Sequence, residues 1–214
     1  PQFIAKVAEG DFRGAFDIIS SANALPRISG RVCPQETQCE GKCVRGIKNE
    51  PVAIGRLERF VADWAAEHAA DIICVDPQNG HKAAVIGSGP AGLSCAYYLA
   101  ADGYKVTVFE KERVVGGMMM LGIPSFRLEK DVVRSEIDVL IQMGVTFRTN
   151  CEVGKDVTIP ALREQGLKAF YVAIGAQGGR KLGIDGEDLP GSHTATEFVA
   201  WYNGHPDYAN RSFD

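Results

Sequence analysis

A glycine-rich loop, GSGPAG at residues 87–92, is the first feature whose residue types and spacing could do chemistry. An apolar run at 83–86 precedes it, a segment of helical composition at 93–101 follows it, and a β-rich run at 105–109 ends at Glu110. This order of strand, glycine loop, helix, strand and acid is typical of a dinucleotide site. The competing interpretation is a glycine turn that binds nothing, and the agreement of both strands and the acid with the pattern weighs against it.

Each part of this pattern has a physical role. Gly87 allows a tight turn, Gly89 leaves room for a pyrophosphate to approach the backbone, and Gly92 lets the helix pack closely on the strand. The N-terminus of the helix offers unpaired N–H groups and the positive end of its dipole to phosphate. Glu110 is placed to accept hydrogen bonds from ribose hydroxyls, and the glycine pair at 116–117 also permits a close approach of backbone to ligand.

Three of the six cysteines, Cys33, Cys39 and Cys43, form a second candidate site. Their C-x5-C-x3-C spacing lies in a stretch, 26–50, where proline and glycine residues are expected to break any regular element. Zinc favours closer cysteine pairs or histidine, and no histidine occurs between residues 1 and 67, so an iron–sulfur centre is the better interpretation. The alternative is three free cysteines in a structural loop.

The apolar periodicity indicates which elements position these two sites. Residues 1–25 are helical in pattern, and 51–68 form the clearest helix, in which Glu58 lies near the edge of the apolar stripe. Beyond Glu110 the predicted elements are a helix at 129–143, a strand at 145–149, a helix at 159–165, a strand at 169–174 and a last helix at 196–202. This order predicts an α/β fold in which a small helical module precedes a Rossmann-like, doubly wound parallel sheet.

Composition limits the classes of function. The 214 residues carry a net charge of −4 without a basic stripe, which argues against a nucleic acid partner. No apolar run approaches the roughly 18 residues of a transmembrane helix, and no signal peptide opens the sequence, so we expect no membrane partner and a cytoplasmic location. We expect a helical module at 1–70, a linker at 71–82 and a dinucleotide-binding domain at 83–214.

Four motifs taken together are more specific than any of them separately. GRVCPQETQCEGKC, IGRLERF, VIGSGPAGLSCAYYLA and GGMMMLGIPSFRL occur in this order. The sequence thereby resembles the small (beta) subunit of NADPH-dependent glutamate synthase and its relatives. These relatives include the N-terminal part of dihydropyrimidine dehydrogenase and the large subunit of electron-bifurcating ferredoxin:NADP oxidoreductase. The resemblance implies a helical module holding two 4Fe-4S clusters, followed by an FAD domain.

The resemblance also implies a role for individual residues. Cys33, Cys39 and Cys43 match cluster ligands, and Glu58 matches a position that supplies a non-cysteine ligand in several relatives. The implied FAD contacts are Gly87, Gly89, Pro90, Ala91, Gly92, Glu110, Lys111, Gly117, Met118, Arg127, Val153 and the 173–175 backbone that ends at Gly175.

Two departures from the family pattern shape the expected function. The relatives carry a further cysteine group upstream and an inserted NADPH domain with its own glycine loop, and neither occurs in these residues. We therefore expect a fragment of an FAD-dependent NAD(P)H oxidoreductase, inactive by itself, that passes electrons from NADPH through FAD and 4Fe-4S clusters. The acceptor would be a larger partner such as the glutamate synthase large subunit, or another electron acceptor. The alternative is a non-catalytic nucleotide-binding or assembly module.

Overall fold

The computed structural model describes residues 2–69, 74–176 and 178–213. Four helices precede the first strand: α1 (Gln2–Ala8), α2 (Phe12–Ser20), α3 (Pro26–Val32) and α4 (Ile54–Glu67). Residues 71–73 of the expected linker lie outside the described residues. Between α3 and α4 the chain makes two short 3-10 turns, Gln35–Thr37 and Val44–Ile47.

The expectation that 26–50 holds no regular element is wrong at its start, because α3 occupies Pro26–Val32. Pro26 stands in the first turn of this helix, where its missing N–H leaves no hydrogen bond unmade and its fixed φ suits helix initiation. A proline read as a breaker therefore begins a helix. Because Cys33 caps the C-terminus of α3, this helix determines where the first of the three clustered cysteines lies.

In the described residues from 74 onward, the chain forms a four-stranded parallel sheet with five α-helices. The strands are β1 (Lys82–Ile86), β2 (Lys105–Phe109), β3 (Thr146–Arg148) and β4 (Leu167–Val172). The helices are α5 (Pro90–Ala101), α6 (Met118–Leu121), α7 (Lys130–Gln142), α8 (Ile159–Glu164) and α9 (Ala195–Tyr202). The strand order is β3-β2-β1-β4, and all three pairings are parallel.

Both faces of this sheet are covered, which confirms the predicted doubly wound α/β fold. Along β1 the side chains alternate: Val85 packs into a core with α5 and α7, while Ala84 packs into a second core that contains Leu162 of α8. A continuous apolar strand is the expected sequence pattern for such a two-sided burial. Among the described residues, no helix has both the length and the apolar character required to span a bilayer.

Helix α3 connects the helical part to the sheet. Leu25 and Ile28 belong to the same apolar core as α5 and α7, so α3 is packed between α4 and α7. Polar contacts reinforce this packing at Asp63 of α4, which accepts two hydrogen bonds from Arg31, each 2.9 Å long, and one of 3.2 Å from Arg27. Helix α3 leads into the cysteine loop, residues 33–43, and is thereby held both by the helical part and by the part that contains the sheet.

Candidate functional site

A cavity of about 740 Å³ opens at the carboxyl ends of β1, β2 and β4. Ligands of doubly wound folds bind at this edge of the sheet, beside the loops that follow the strands. The predicted FAD contacts that line the cavity are Gly87, Gly89, Pro90, Ala91, Glu110, Lys111, Gly117, Met118, Val153 and Gly175. The remaining two, Gly92 and Arg127, lie elsewhere. These roles in binding stay predictions, but the fold does bring most of the residues to one surface.

The glycine loop presents backbone to this cavity. Gly87 adopts a φ of +101°, a conformation that favours glycine, and its N–H donates to Phe109 O at 2.8 Å. Gly89 caps the N-terminus of α5 with a φ of −68°, and a Cβ added there would meet no atom of the described residues within 4 Å. The open space beside Gly89 and the unpaired N–H groups of the first turn of α5 suit a phosphate ligand.

Gly92 serves the packing of the loop and does not line the cavity. A Cβ at this position would lie 2.0 Å from Gly87 O and 3.3 Å from a methyl group of Val85. A side chain would therefore push α5 away from β1 and from the turn. This is the geometric basis of the close packing that the motif predicts for its third glycine.

Glu110 is almost completely buried, with 5% of its surface exposed, and its carboxylate organises the loop. Its Oε2 accepts hydrogen bonds from the N–H and the hydroxyl of Ser88, and its Oε1 accepts from the N–H of Glu112 at 2.9 Å. The Ser88 hydroxyl in turn accepts from Gly116 N at 3.0 Å. A carboxylate has about four lone-pair sites, so it retains capacity for ribose hydroxyls.

Ser88 has a role in this site that the glycine motif does not predict. This side chain is fully buried and joins the glycine loop to Gly116, which begins the opposite wall of the cavity. Gly117 continues that wall with a φ of +51°, and a Cβ there would lie 2.8 Å from the Cα of Gly89. The two glycine segments thus approach backbone to backbone, and only Met118, which is 40% exposed, places a large side chain at this part of the cavity.

Arg127 contacts the end of α3, next to the cysteines. Its guanidinium donates to Val32 O over 3.5 Å, and the residue is exposed. Val32 is the residue that precedes Cys33, so Arg127 contacts the end of α3 and does not contribute to the cavity lining.

The cysteine loop exposes Cys39 and leaves Cys33 and Cys43 half-buried. Burial, with the nearby negative groups Cys39, Glu58 and Glu36, raises the pKa of the Cys33 thiol. Hydrogen bonds from backbone N–H groups, that of Val52 foremost, lower the pKa of Cys43 and favour its thiolate.

Glu58 of α4 faces α3 and the turn that precedes it. Its Oε1 accepts hydrogen bonds from Asn23 Nδ2 at 2.7 Å and from Ser29 Oγ at 2.6 Å. This carboxylate is therefore engaged in joining α4 to the turn before α3. The inward position near the edge of the apolar stripe agrees with the sequence pattern.

The side chains of this loop include several that could bind a metal. Over residues 2–69, 74–176 and 178–213, no group of three or more cysteine, histidine or acidic side chains is arranged to hold a metal ion. A 4Fe-4S cluster requires four ligands, and the assignment of Cys33, Cys39, Cys43 and Glu58 as cluster ligands stays a prediction. The cavity, in contrast, fits a dinucleotide in its backbone cradle, its helix terminus and its buried acid.

Comparison with known proteins gives two family matches along the chain. Residues 1–70 match the family described as dihydropyrimidine dehydrogenase domain II, 4Fe-4S cluster. Residues 85–128 match the NAD(P)-binding Rossmann-like domain. The first match covers the four helices and the cysteine loop, and the second runs from β1 to the end of the segment that carries Gly117.

Full-length relatives extend the similarity over both parts. The chain is 36% identical over 201 residues to the glutamate synthase (NADPH) small chain of Escherichia coli, covering 93% of this chain and 42% of that protein. It is 38% identical over 210 residues to the NADP(+)-dependent formate dehydrogenase subunit beta of Moorella thermoacetica, covering 88% and 29%. Among solved structures, FprA from Mycobacterium tuberculosis in complex with NADPH is 31% identical with a TM-score of 0.54, covering 63% of this chain and 31% of that one. The chain spans less than half the length of these relatives.

Proposed function

We propose that this chain, a homologue of the glutamate synthase small chain and related oxidoreductases, binds FAD in the cavity at the carboxyl ends of its strands. The protein would act as an FAD-dependent NAD(P)H oxidoreductase that delivers electrons to a partner. The observation that carries this proposal is the meeting of the glycine loop, the N-terminus of α5 and the buried Glu110 around one cavity of about 740 Å³. That volume is within the range of small-molecule and cofactor sites.

The geometry supports a proposed role for each of these residues. The N–H groups at the start of α5, beside Gly89, would hold the pyrophosphate, and Glu110 would accept from the ribose hydroxyls. The backbone at Gly117 and the side chain of Met118 would close the other side. FAD, when bound, supplies hydride acceptance and the release of single electrons, which no amino-acid side chain provides.

Glu110 also bears on which dinucleotide binds. Its buried carboxylate, already fixed by Ser88 and Glu112, presents negative charge where a ribose 2′-phosphate would carry more of the same charge. The cavity therefore favours a dinucleotide with a free 2′-hydroxyl, such as FAD, over NADP. We place the NADPH of the proposed reaction outside this cavity.

The division of the chain and its partner are part of the same proposal. We propose a helical iron–sulfur module at 1–70, a linker at 71–82 and the FAD-binding domain at 83–214. The similarity of residues 1–70 to a 4Fe-4S family supports a cluster-bearing role for the module, which would need donors in addition to Cys33, Cys39, Cys43 and Glu58. The similarity to a glutamate synthase small chain supports a larger catalytic subunit as the partner, and other relatives indicate other electron acceptors.

Gly89→Val tests the flavin site without disturbing the fold. Its φ is open to any residue, and an added Cβ meets nothing within 4 Å among the described residues, so the new side chain would occupy only the space for pyrophosphate. Gly46→Ala is the matched control, because its Cβ would make ordinary contacts of 3.6 Å with Pro51, away from the cavity lining.

We expect the unaltered protein and the Gly46→Ala variant to bind FAD in a fluorescence titration and to show the visible absorption of bound flavin. Gly89→Val should lose both while keeping its melting temperature. Retention of stoichiometric FAD by Gly89→Val would contradict the assignment of the site. A colourless unaltered protein that takes up no FAD would favour the non-catalytic nucleotide-binding or assembly module instead.

A further inference from the structure

The wall of the cavity opposite the glycine loop is carried by a very short helix. Helix α6 has four residues, Met118–Leu121, and directly follows Gly117. A single helical turn fixes too few hydrogen bonds to be stable without outside contacts. The position of Met118 at the cavity therefore depends on what holds α6.

Lys130 provides one of these holds. Its ammonium group donates to Met119 O at 2.9 Å and also to Ile123 O, so it binds two carbonyls at the C-terminal side of α6. A cation at this end of a helix also interacts favourably with the helix dipole. Burial lowers the pKa of this ammonium group, in agreement with its place beneath the segment.

Asn203 provides the second hold, from a distant part of the chain. Its Nδ2 donates to Leu121 O at 2.9 Å and to Ile123 O at 3.2 Å. The same residue caps the C-terminus of α9, where its N–H donates to Val199 O at 2.9 Å. Its Oδ1 is buried and has no hydrogen-bond partner among the residues that the structure describes. The side chain thus works purely as a donor toward the carbonyls of the cavity wall.

The end of α9 is itself anchored next to the acid of the cavity. His205 is 3% exposed, and its Nε2 lies 3.5 Å from Oε2 of Glu112. The N–H of Glu112 donates to Oε1 of Glu110, the carboxylate that holds the glycine loop. The turn after α9 therefore contacts both α6 and the segment that follows β2.

We propose that Asn203 is a positioning residue for the dinucleotide cavity, an inference that rests on the proposed FAD site. By donating to Leu121 O and Ile123 O, it holds α6 so that Gly117 and Met118 keep the wall closed against the glycine loop. Lys130 binds Met119 O and Ile123 O but not Leu121 O, so it does not replace Asn203. Loosening α6 should therefore speed the dissociation of a bound dinucleotide while leaving the melting temperature of the unliganded protein nearly unchanged.

The test uses two substitutions at Asn203 and the same two at a matched position. Asn203→Ala removes the donor, and Asn203→Asp replaces it with an oxygen that repels the two carbonyls. Asn79 is the control, because its Nδ2 likewise donates to a backbone carbonyl, Asp102 O, at 3.0 Å. Asn79 precedes the first residue of β1, so it lies at the edge of the sheet opposite the cavity. FAD is the probe, and its dissociation constant is measured by fluorescence titration of the purified protein, with the visible circular dichroism of bound flavin as a second readout.

Asn203→Ala deprives Leu121 O of this donor, whereas Ile123 O keeps Lys130, so the loss corresponds to about one hydrogen bond. We expect it to raise the FAD dissociation constant about three- to tenfold, and Asn203→Asp to raise it at least as much. Both should alter the circular dichroism of the bound flavin, while the Asn79 variants leave both readouts unchanged. Melting temperatures without FAD should be similar for Asn203→Ala and Asn79→Ala.

Dissociation constants within twofold of the unaltered protein for both Asn203 variants would overturn the inference while leaving the proposed function intact. If Asn203→Asp does not fold, Asn203→Ala decides alone. Failure of the unaltered protein to bind FAD would refute the proposed function and this inference with it.

Discussion

Asp63→Asn should loosen the connection between the helical part and the sheet. The Asp63 carboxylate receives two hydrogen bonds of 2.9 Å from Arg31, one of 3.2 Å from Arg27, and lies 3.6 Å from Nε of Arg59. Arg31 also reaches Glu129 at the start of α7 over 3.3 Å. Asparagine has nearly the same size but no charge, and its NH2 group would face guanidinium donors. It could therefore accept from only one of the two Arg31 nitrogens that Asp63 now binds.

The size of the effect follows from burial. Exposed ion pairs contribute about 0 to 1 kcal/mol, whereas breaking a fully buried pair costs about 3 to 5 kcal/mol. The Arg31 side chain is 9% exposed and that of Asp63 is 27% exposed, so this pair lies between the two limits. We therefore expect Asp63→Asn to lower the free energy of unfolding by about 2 kcal/mol at neutral pH.

The same cluster predicts a pH dependence. Burial raises the pKa of Asp63, but the hydrogen bonds and charges of Arg31 and Arg27 outweigh it and hold the pKa below its ordinary value of 3.8. A carboxylate with a lowered pKa contributes stability that is fully present above the unfolded value and is lost as the pH falls through the folded value. The difference between the unaltered protein and Asp63→Asn should therefore be constant above about pH 5 and shrink at lower pH.

Urea unfolding followed by far-ultraviolet circular dichroism measures this difference. Asp131→Asn is the matched control, because Asp131 also pairs with an arginine, at 2.6 Å, but its side chain is 92% exposed. It should cost no more than about 0.5 kcal/mol. Equal losses for the two variants, or a loss for Asp63→Asn that persists unchanged down to pH 2, would refute the reasoning.

Two further predictions concern the glycine loop. Gly92→Ala should lower the melting temperature by about 4 to 8 °C, since its Cβ would lie 2.0 Å from Gly87 O and the strain should cost roughly 2 kcal/mol; thermal unfolding with an unchanged midpoint would contradict this close packing. Glu110→Gln should cost about 1 to 3 kcal/mol in urea unfolding and weaken FAD binding, because one accepting oxygen becomes an NH2 group that cannot accept from Ser88 or Glu112. A variant with unchanged stability would show that these hydrogen bonds are dispensable.

Much of the dinucleotide site was readable from the sequence because it depends on local geometry. The turn at Gly87, the open backbone at Gly89 and the packing at Gly92 are consequences of missing side chains within a few residues of one another. Strand and helix periodicity around them is equally local, and the parallel sheet followed from the order of the elements. The cavity collects most of the residues that the resemblance implied, although their role in binding stays a prediction.

Other features depended on residues far apart in the chain. In the sequence Ser88 is an ordinary loop residue. Its hydroxyl accepts from the N–H of Gly116, 28 positions later, only because the fold brings the two residues together. Arg127 contacts Val32 O because the end of α3 comes next to it in the fold, and its predicted contact with FAD stays a prediction. Pro26 begins a helix in a stretch that was expected to lack one, since α3 is stabilised by packing between α4 and α7.

The sequence by itself determined most of the elements, though not α3, together with the glycine loop, the acid after β2 and the three clustered cysteines, because these are properties of neighbouring residues. Only the tertiary structure decided that Asn203 and Lys130 hold the wall of the cavity, and that Asp63 joins the two parts of the chain. Each of these contacts is a side-chain hydrogen bond between residues that are at least 7 positions apart, and its partner is determined by which elements pack together. Periodicity and spacing report the face of an element, whereas such a contact depends on the element that lies opposite.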